Sequence, residues 1–361
     1  MKRVALVGTG LIGGSIGLAL RSRDVEVVGF DTLPERAHEA VELGALDRVV
    51  TGPDACAGVD LAVVAVPVND VVGAATALLD VGVAVVTDVA SVKAPVVHGV
   101  EAARADAAGR FVGGHPMAGS EQEGVAGAES RLFEGSAWVL TPTPRTDADA
   151  FAAVRSLVDL TGGEAVALDP DEHDALVAMV SHVPQLAAST LMDLAAQRGA
   201  DHRALLRLAA GGFRDMTRIA AADPAIWPDI CVSNRDAIVA ALDRYLEALE
   251  GIRNVVATGE RQGLLEVLER ARTARRNLPV GATDASDLVE LRVPVADRPG
   301  VLAEVTTTAG RLGVNITDVE IAHSTEGRAG VLVITTSREG SRELEAALVS
   351  AGYHPAISPI T

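Results

Sequence analysis

The chain has 361 residues and a formal net charge of −18, and this acidity disfavours a nucleic-acid partner, whose phosphates would be repelled. Two cysteines are too few for a disulfide framework, which fits a reducing, cytoplasmic location. Hydrophobic residues make up 48% of the chain but aromatic residues only 2%, so two or three domains must build their cores from small aliphatic side chains.

The N-terminal segment allows two interpretations. Lys2 and Arg3 precede an apolar run that ends at Leu20, as in a secretory signal peptide. A second, strand-like run over residues 25–30 follows at once, however, without a small-residue cleavage site. We therefore favour a strand, a glycine-rich turn, a helix and a second strand. Apart from this N-terminal run, we expect no apolar segment long enough to cross a bilayer, and therefore no membrane partner.

The turn has the G-x-G-x-x-G spacing of a dinucleotide-binding fingerprint. In this motif the first glycine permits the tight turn, the second lets the pyrophosphate approach, and the third lets the helix pack on the strand. Asp31 ends the second strand, where its carboxylate would bind ribose hydroxyls and repel a 2′-phosphate, which favours NAD over NADP. The predicted cofactor-binding residues are Gly8, Gly10, Leu11, Ile12, Gly13, Asp31, Val66 and Pro67.

Alternating strand and helix patterns over residues 1–168 predict an α/β fold with a Rossmann-type, doubly wound and mostly parallel sheet. Ligands of such sheets bind beyond the carboxyl ends of the strands. The predicted strands cover residues 3–7, 25–30, 61–66, 84–87, 110–112 and 137–141.

Two loops after predicted strands carry candidate catalytic groups. His115 follows strand 110–112, and Ser91 and Lys93 follow strand 84–87. We expect the serine hydroxyl and the lysine amine to enter the same crevice as the imidazole. The place of His115 beyond a strand end makes it a candidate functional residue that could assist hydride transfer. The spacing of histidines and cysteines predicts no metal site.

The remaining chain divides into a helical region over 169–278, a linker over 279–287 and a last unit over 288–361. Apolar residues from Ile238 to Val256 recur at steps of three and four, which predicts a helix of about six turns. Its apolar stripe fits either a buried core or a dimer interface. The last unit has the order β-α-β-β-α-β of a ferredoxin-like fold.

Four motifs, "TDVASVK", "GGHPMAGSE", "SHVPQ" and "GGFRDMTRIAAADPAIWPDI", together resemble the prephenate dehydrogenase family, which includes the arogenate dehydrogenases. The resemblance implies NAD-dependent oxidative decarboxylation of a cyclohexadienol in tyrosine biosynthesis. It implies that His115 takes the proton of the C4 hydroxyl, that Ser91 orients the imidazole, and that Arg218 holds the ring carboxylate. From the residues alone, Arg218 fits better a salt bridge with Asp215. Further implied substrate contacts are Ser120, Ser181, His182 and Gln185.

One departure from the family concerns the substrate side chain. Some relatives place a histidine where this chain has Gln185, which exchanges a possible cation for a neutral amide. Prephenate ends in a keto acid and arogenate in an amino acid. The exchange bears on the choice between these two substrates, which the sequence leaves open, with prephenate as the first candidate.

The last unit resembles an ACT domain through "DRPGVL" and "GVNI". This resemblance implies an aromatic amino acid effector, bound between two copies in a homodimer. The implied contacts are Asp297, Gly300, Val301, Asn315 and Ile316. A structural appendage without a ligand is the alternative. For the whole chain, a β-hydroxyacid dehydrogenase and a non-catalytic sensor of NAD and amino acids are the other readings.

Overall fold

A computed structural model describes residues 1–119, 122, 124–201, 209–277, 288–296, 298–323 and 329–359. Ser120, Asp297 and the predicted linker over 279–287 lie outside the described residues. The chain forms two compact units, Met1–Leu249 and Glu250–Thr361.

The first unit is built on an eight-stranded sheet with the order β3-β2-β1-β4-β5-β6-β7-β8. Neighbouring strands are parallel except β6 and β7, which run antiparallel. The predicted doubly wound, mostly parallel sheet is confirmed. The strands are β1 (Arg3–Val7), β2 (Glu26–Phe30), β3 (Arg48–Val49), β4 (Leu61–Val64), β5 (Val86–Asp88), β6 (Phe111–Pro116), β7 (Ala137–Thr141) and β8 (Glu164–Ala167).

Helices cover both faces of this sheet. Accordingly, successive side chains of β1 are buried in two different hydrophobic cores, one on each face. Val4 and Leu6 join the core on one face, whereas Ala5 and Val7 join the core on the other. A parallel sheet buried on both faces needs such unbroken apolar strands. The covering helices are α1 (Leu11–Arg21), α2 (Pro34–Glu42), α3 (Val68–Asp80), α4 (Ala94–Ala103) and α5 (Ala148–Thr161).

The helical region begins with α6 (Pro170–Val177), a π-helical turn (Ala178–His182) and α7 (Val183–Asp201). The segment Pro170–Arg198 is long and apolar enough, by length and composition, to cross a membrane, so the expectation that no second run qualifies is wrong. These criteria alone are weak support for a membrane span. The segment carries His173 and Asp174, which are buried against the nucleotide-binding sheet.

Further helices follow in the described part of this region. The predicted long helix is observed as α10, in which Ile238 and Ala241 are buried and Leu246 and Val256 are exposed. The apolar stripe therefore serves the core only near its N-terminal end. The helices are α8 (Gly211–Thr217), α9 (Trp227–Ser233), α10 (Arg235–Thr258) and α11 (Arg261–Arg276).

The C-terminal unit contains a four-stranded antiparallel sheet with the order β10-β11-β9-β12. Its core is formed mainly by valine, leucine and isoleucine from the strands and the two helices. The predicted β-α-β-β-α-β order is confirmed. The elements are β9 (Leu288–Ala296), α12 (Val301–Arg311), β10 (Ile316–His323), β11 (Ala329–Ser337), α13 (Arg338–Ser350) and β12 (Ala356–Pro359).

Close helix packing in the first unit depends on Gly17 of α1. A Cβ atom there would lie 2.2 Å from the backbone oxygen of Ala45. We expect Gly17→Ala to lower the free energy of unfolding by about 1–3 kcal/mol, the usual cost of overpacking. Denaturant unfolding measures this change.

Gly73→Ala is the matched control, because Gly73 lies in helix α3 and a Cβ atom there has no neighbour within 4 Å. Alanine at an unstrained helical position stabilises a protein by roughly 0.4–1 kcal/mol. Equal effects of the two substitutions would show that the contact between Gly17 and Ala45 does not limit the packing.

Candidate active site

The glycine-rich turn has the geometry that the fingerprint predicts. Gly8 has a φ of +91°, and a Cβ atom there would lie 2.3 Å from the Ala65 oxygen. A Cβ atom on Gly13 would lie 2.2 Å from the Gly8 oxygen. Gly10, by contrast, has open space around it, where a phosphate can approach the N–H groups at the start of α1.

Asp31 lies at the end of β2 beside this turn. Its carboxylate accepts hydrogen bonds from the backbone N–H groups of Thr9 (2.8 Å) and Leu33 (3.0 Å). Partial burial acts to raise the pKa of Asp31, but the donors of Leu33 and Thr9 outweigh it, and the pKa lies below its ordinary value. The group is therefore an ionised acceptor, suited to two ribose hydroxyls.

A cleft of about 480 Å³ runs along this edge of the sheet. The open space at Gly10 and the carboxylate of Asp31 both border it, so the residues present fit a dinucleotide. Leu11, the first residue of α1, is half-buried. It is not among the residues that line this cleft or the neighbouring cavity that contains His115. The cleft is lined by Val7, Gly8, Gly10, Phe30, Asp31, Thr32, Arg36, Pro53, Ala65, Val66, Pro67, Asp70 and Ala74.

A second cavity, of about 550 Å³, shares Val66 and Pro67 with the cleft. His115 and Ser91, which the sequence placed in one crevice, both line it. Most of its other residues are apolar, and some come from the helical region. They are Ile12, Val68, Val89, Ala90, Pro116, Ala118, Ala225, Ile226, Asp229 and Ile230.

His115 lies within strand β6 and not in a loop beyond it, which corrects the predicted strand end. It pairs with Val139 of β7. The two preceding glycines look like a strand terminator, but they are required by close contacts. Cβ atoms on Gly113 and Gly114 would lie 2.4 Å from Thr141 Oγ1 and 2.7 Å from the Asp88 oxygen. The strand therefore continues and carries the imidazole to the cavity wall.

Lys93 does not enter the crevice, contrary to the sequence-based expectation. Its ammonium group is fully buried, where it forms an ion pair with Asp88 and donates to the Gly114 oxygen at 2.8 Å. Asp88 also accepts the N–H of Gly114 at 3.1 Å. Burial lowers the pKa of Lys93, and the Asp88 carboxylate opposes that effect. The pair fixes the backbone directly before His115.

A series of hydrogen bonds behind His115 was not predicted from the sequence. Its Nδ1 atom lies 2.9 Å from His173 Nε2, and His173 Nδ1 lies 2.7 Å from Asp174 Oδ1. Burial is the largest effect that holds the pKa of His115 well below 6.5, and the positive charge of Lys93 acts in the same direction. His115 is therefore neutral at pH 7. The stretch "DEHD" gave no signal, because it resembles the solvated first turn of a helix.

The other predicted substrate contacts that the structure describes belong to the helical region. His182 is buried, contacts the Trp227 ring edge-on and lies 3.2 Å from Asn234 Nδ2. Burial lowers its pKa to about 4. Gln185 is buried and Ser181 half-buried, whereas Arg218 is exposed at the end of α8. None of these residues is among those that line the cavity in the described structure.

The predicted effector contacts surround the start of α12 and β10. Gly300 caps α12 with a φ of +89°, and Val301 and Ile316 pack against the core of the C-terminal unit. Asn315 is exposed, and its carbonyl accepts the Thr336 hydroxyl at 2.7 Å. Among the described residues there is no group of three histidine, cysteine or acidic side chains that could hold a metal.

Comparison with known families divides the chain into three matched regions. The model for the nucleotide-binding domain of prephenate dehydrogenase matches residues 16–167, and the model for its dimerization domain matches residues 169–270. The ACT domain model matches residues 289–350.

Individual relatives cover most of the chain. The prephenate dehydrogenase of Bacillus subtilis (strain 168) is 34% identical over 352 residues, which are 94% of this chain and 93% of that protein. The structure of A. aeolicus prephenate dehydrogenase with hydroxyphenyl propionate and NAD+ has a TM-score of 0.72 at 31% identity, covering 77% of this chain and 99% of that chain. Synechocystis arogenate dehydrogenase has a TM-score of 0.68 at 28% identity, covering 76% and 98%.

The buried ion pair under the site leads to a stability prediction. Lys93→Met leaves the Asp88 carboxylate buried without its cation, so we expect the free energy of unfolding to fall by about 3–5 kcal/mol. Denaturant unfolding at neutral pH measures the loss.

Arg131→Met is the matched control, because Arg131 and Glu134 form an exposed pair at i, i+3. Its loss should change the free energy of unfolding by less than about 1 kcal/mol. A similarly small loss for Lys93→Met would contradict the assigned role of the buried pair.

Proposed function

Because the chain belongs to the prephenate dehydrogenase family, we propose that it catalyses the NAD-dependent oxidative decarboxylation of prephenate to 4-hydroxyphenylpyruvate. The family, the fold and the NAD-dependent dehydrogenase class predicted from the sequence are confirmed. In this reaction C4 loses a hydride, the C4 hydroxyl loses a proton and C1 loses CO₂, so the ring becomes aromatic. The observation that carries the proposal is a neutral, buried His115 in a cavity that adjoins the dinucleotide cleft.

We assign the cofactor to the cleft that the glycine-rich turn and Asp31 border. The N–H groups at the start of α1 would hold the pyrophosphate, and Asp31 would hold the ribose. Val66 and Pro67 line both cavities, so they would lie between the ribose and the substrate. When bound, NAD supplies the hydride acceptor.

His115 is the proposed general base. It takes the proton of the C4 hydroxyl, which favours departure of the hydride from the same carbon. Ser91 lines the same cavity, and we assign its hydroxyl to the surroundings of the imidazole and the substrate, although no hydrogen bond joins Ser91 to His115 among the described residues. The apolar walls of the cavity limit water around the reacting groups.

Substrate recognition remains a separate proposal. We assign the ring carboxylate to Arg218, which begins the short helical turn Arg218–Ala221 that precedes the cavity residues Ala225 and Ile226 in the chain. Ser120, Ser181, His182 and Gln185 are the proposed contacts of the side chain. The similarity to Synechocystis arogenate dehydrogenase makes arogenate the second candidate substrate.

The matched dimerization and ACT domains extend the proposal to assembly and regulation. Exposed apolar side chains on α10, including Leu246 and Val256, support a homodimer. We propose an aromatic amino acid effector at Gly300, Val301, Asn315 and Ile316, together with Asp297. We propose domains over 1–168, 169–278 and 288–361, with a linker over 279–287. We also propose a cytoplasmic location.

An assay of NADH or NADPH formation tests the function directly. Prephenate and arogenate are each supplied with NAD and with NADP, and the aromatic product is identified. We expect prephenate with NAD to give the highest kcat/KM, because Asp31 repels a 2′-phosphate. Turnover of neither substrate would refute the proposed function, and preference for arogenate would replace the first substrate by the second.

His115→Asn and His98→Asn form the matched pair of variants for this assay. His98 is exposed and pairs with Asp171, and neither residue is among those that line the cavity. His115→Asn should lower kcat by about 10²–10⁴ with NAD affinity unchanged, as loss of a positioned base does. A kcat within about threefold of wild type would show that another group takes the proton.

A further inference from the structure

The hydrogen bonds of the His115 ring are divided between its two nitrogens. Nδ1 contacts His173 Nε2 at 2.9 Å, whereas Nε2 has no hydrogen-bond partner among the described residues. Since the ring lines the cavity, Nε2 is the atom left for a substrate hydroxyl. It can accept a proton only in the tautomer that carries its hydrogen on Nδ1.

Asp174 sets the direction of the hydrogen bonds in this chain. Its Oδ1 accepts the backbone N–H of Lys93 at 2.7 Å, and its Oδ2 accepts that of Ala94 at 2.8 Å. Since both carboxylate oxygens already act as acceptors for backbone N–H groups, Oδ1 is also the acceptor in its contact with His173, and His173 Nδ1 is the donor. In a neutral His173 the other nitrogen, Nε2, is then a bare acceptor. His115 Nδ1 must therefore carry the hydrogen.

We propose that His173 and Asp174 are positioning residues that hold His115 in the Nδ1–H tautomer and keep the Nε2 lone pair available to the substrate. This inference rests on the proposed function, because it concerns the base of that reaction. The same logic operates where a carboxylate fixes the tautomer of a catalytic histidine through one hydrogen bond. Here a second imidazole lies between the carboxylate and the base.

The surroundings hold both positioning residues in one place. His173 is fully buried, and Asp174 is 4% exposed. The backbone carbonyl of Asp174 accepts a hydrogen bond from Asn234 Nδ2 at 2.9 Å. Helix α6, which carries His173 and Asp174, is thus hydrogen-bonded both to the N-terminus of α4 and to Asn234, the residue that follows α9. Such fixed partners leave little freedom for the ring orientation of His115.

The first test reads the tautomer without any assay of activity. The full chain is labelled with ¹⁵N-histidine, and long-range ¹H–¹⁵N spectra at neutral pH identify the protonated nitrogen of each ring. The His115 signals are those that vanish in His115→Asn. We expect a hydrogen on Nδ1 and a bare Nε2. A hydrogen on Nε2 of His115 and a bare Nδ1 would overturn the proposal. This result would be obtained, for example, if a charged His173 donated its Nε2 hydrogen to His115 Nδ1.

The second test separates positioning from packing. His173→Gln keeps an oxygen that can accept from His115, whereas His173→Met has a similar length and no such acceptor. We expect the methionine variant to lose about 10²-fold in kcat with KM unchanged, within the contribution of a positioned base. The glutamine variant should recover to within about threefold of wild type and keep the Nδ1–H tautomer.

Equal losses of kcat in both variants, together with equal losses of stability, would show that His173 only fills space, and would overturn the proposal. Asp171→Asn on the same helix is the control, because Asp171 is exposed and pairs with His98. If the wild-type chain oxidises neither prephenate nor arogenate, the proposed function fails while the tautomer is still read from the spectra. The two failures are therefore distinguishable.

Discussion

The site depends on one buried carboxylate, that of Asp174. It accepts the N–H groups of Lys93 and Ala94 at the start of α4, where an anion also interacts favourably with the helix dipole. The same carboxylate accepts from His173, which in turn contacts His115. A residue of the helical region thus fixes both a helix of the nucleotide-binding sheet and the candidate base. Because these hydrogen bonds are buried, each lost partner would leave an unsatisfied group, which makes the arrangement strongly specified.

Two titratable groups at the sheet edge are held in opposite environments. Asp31 remains ionised because N–H groups of Leu33 and Thr9 outweigh its partial burial, whereas burial keeps His115 neutral. The first environment suits an acceptor for ribose and the second suits a proton acceptor. The depressed pKa also affects stability. The unfolded chain binds a proton at His115 near pH 6.5 and the folded chain only well below it, so stability falls as the pH decreases through about 6.5.

Much of the fold could be predicted from local patterns, because unbroken apolar strands, the glycine spacing and the β-α-β-β-α-β order are local signals. The edge strands β3 and β8 were missed, since one has two residues and the other is exposed throughout. The strand β6 was drawn too short because glycines are typical of loops, whereas here close contacts require them. The hydrogen bond between His115 and His173 joins residues that are 58 positions apart in the sequence. The hydrogen bond between Lys93 and Asp174 joins residues that are 81 positions apart. Such pairs are set by tertiary packing and leave no mark on the sequence pattern.

The central claim is that this packing presents His115 as a neutral imidazole at the cavity. The most direct measurement is a pH titration of the His115 Cε1–H resonance in the full chain, followed from about pH 8 towards about pH 5 and assigned through His115→Asn. We expect the resonance to keep the position of a neutral ring through pH 6.5 and to move only well below it, as long as the chain remains folded. A titration midpoint at or above 6.5 would contradict the account, because His115 would then be charged over much of the range in which it must accept a proton.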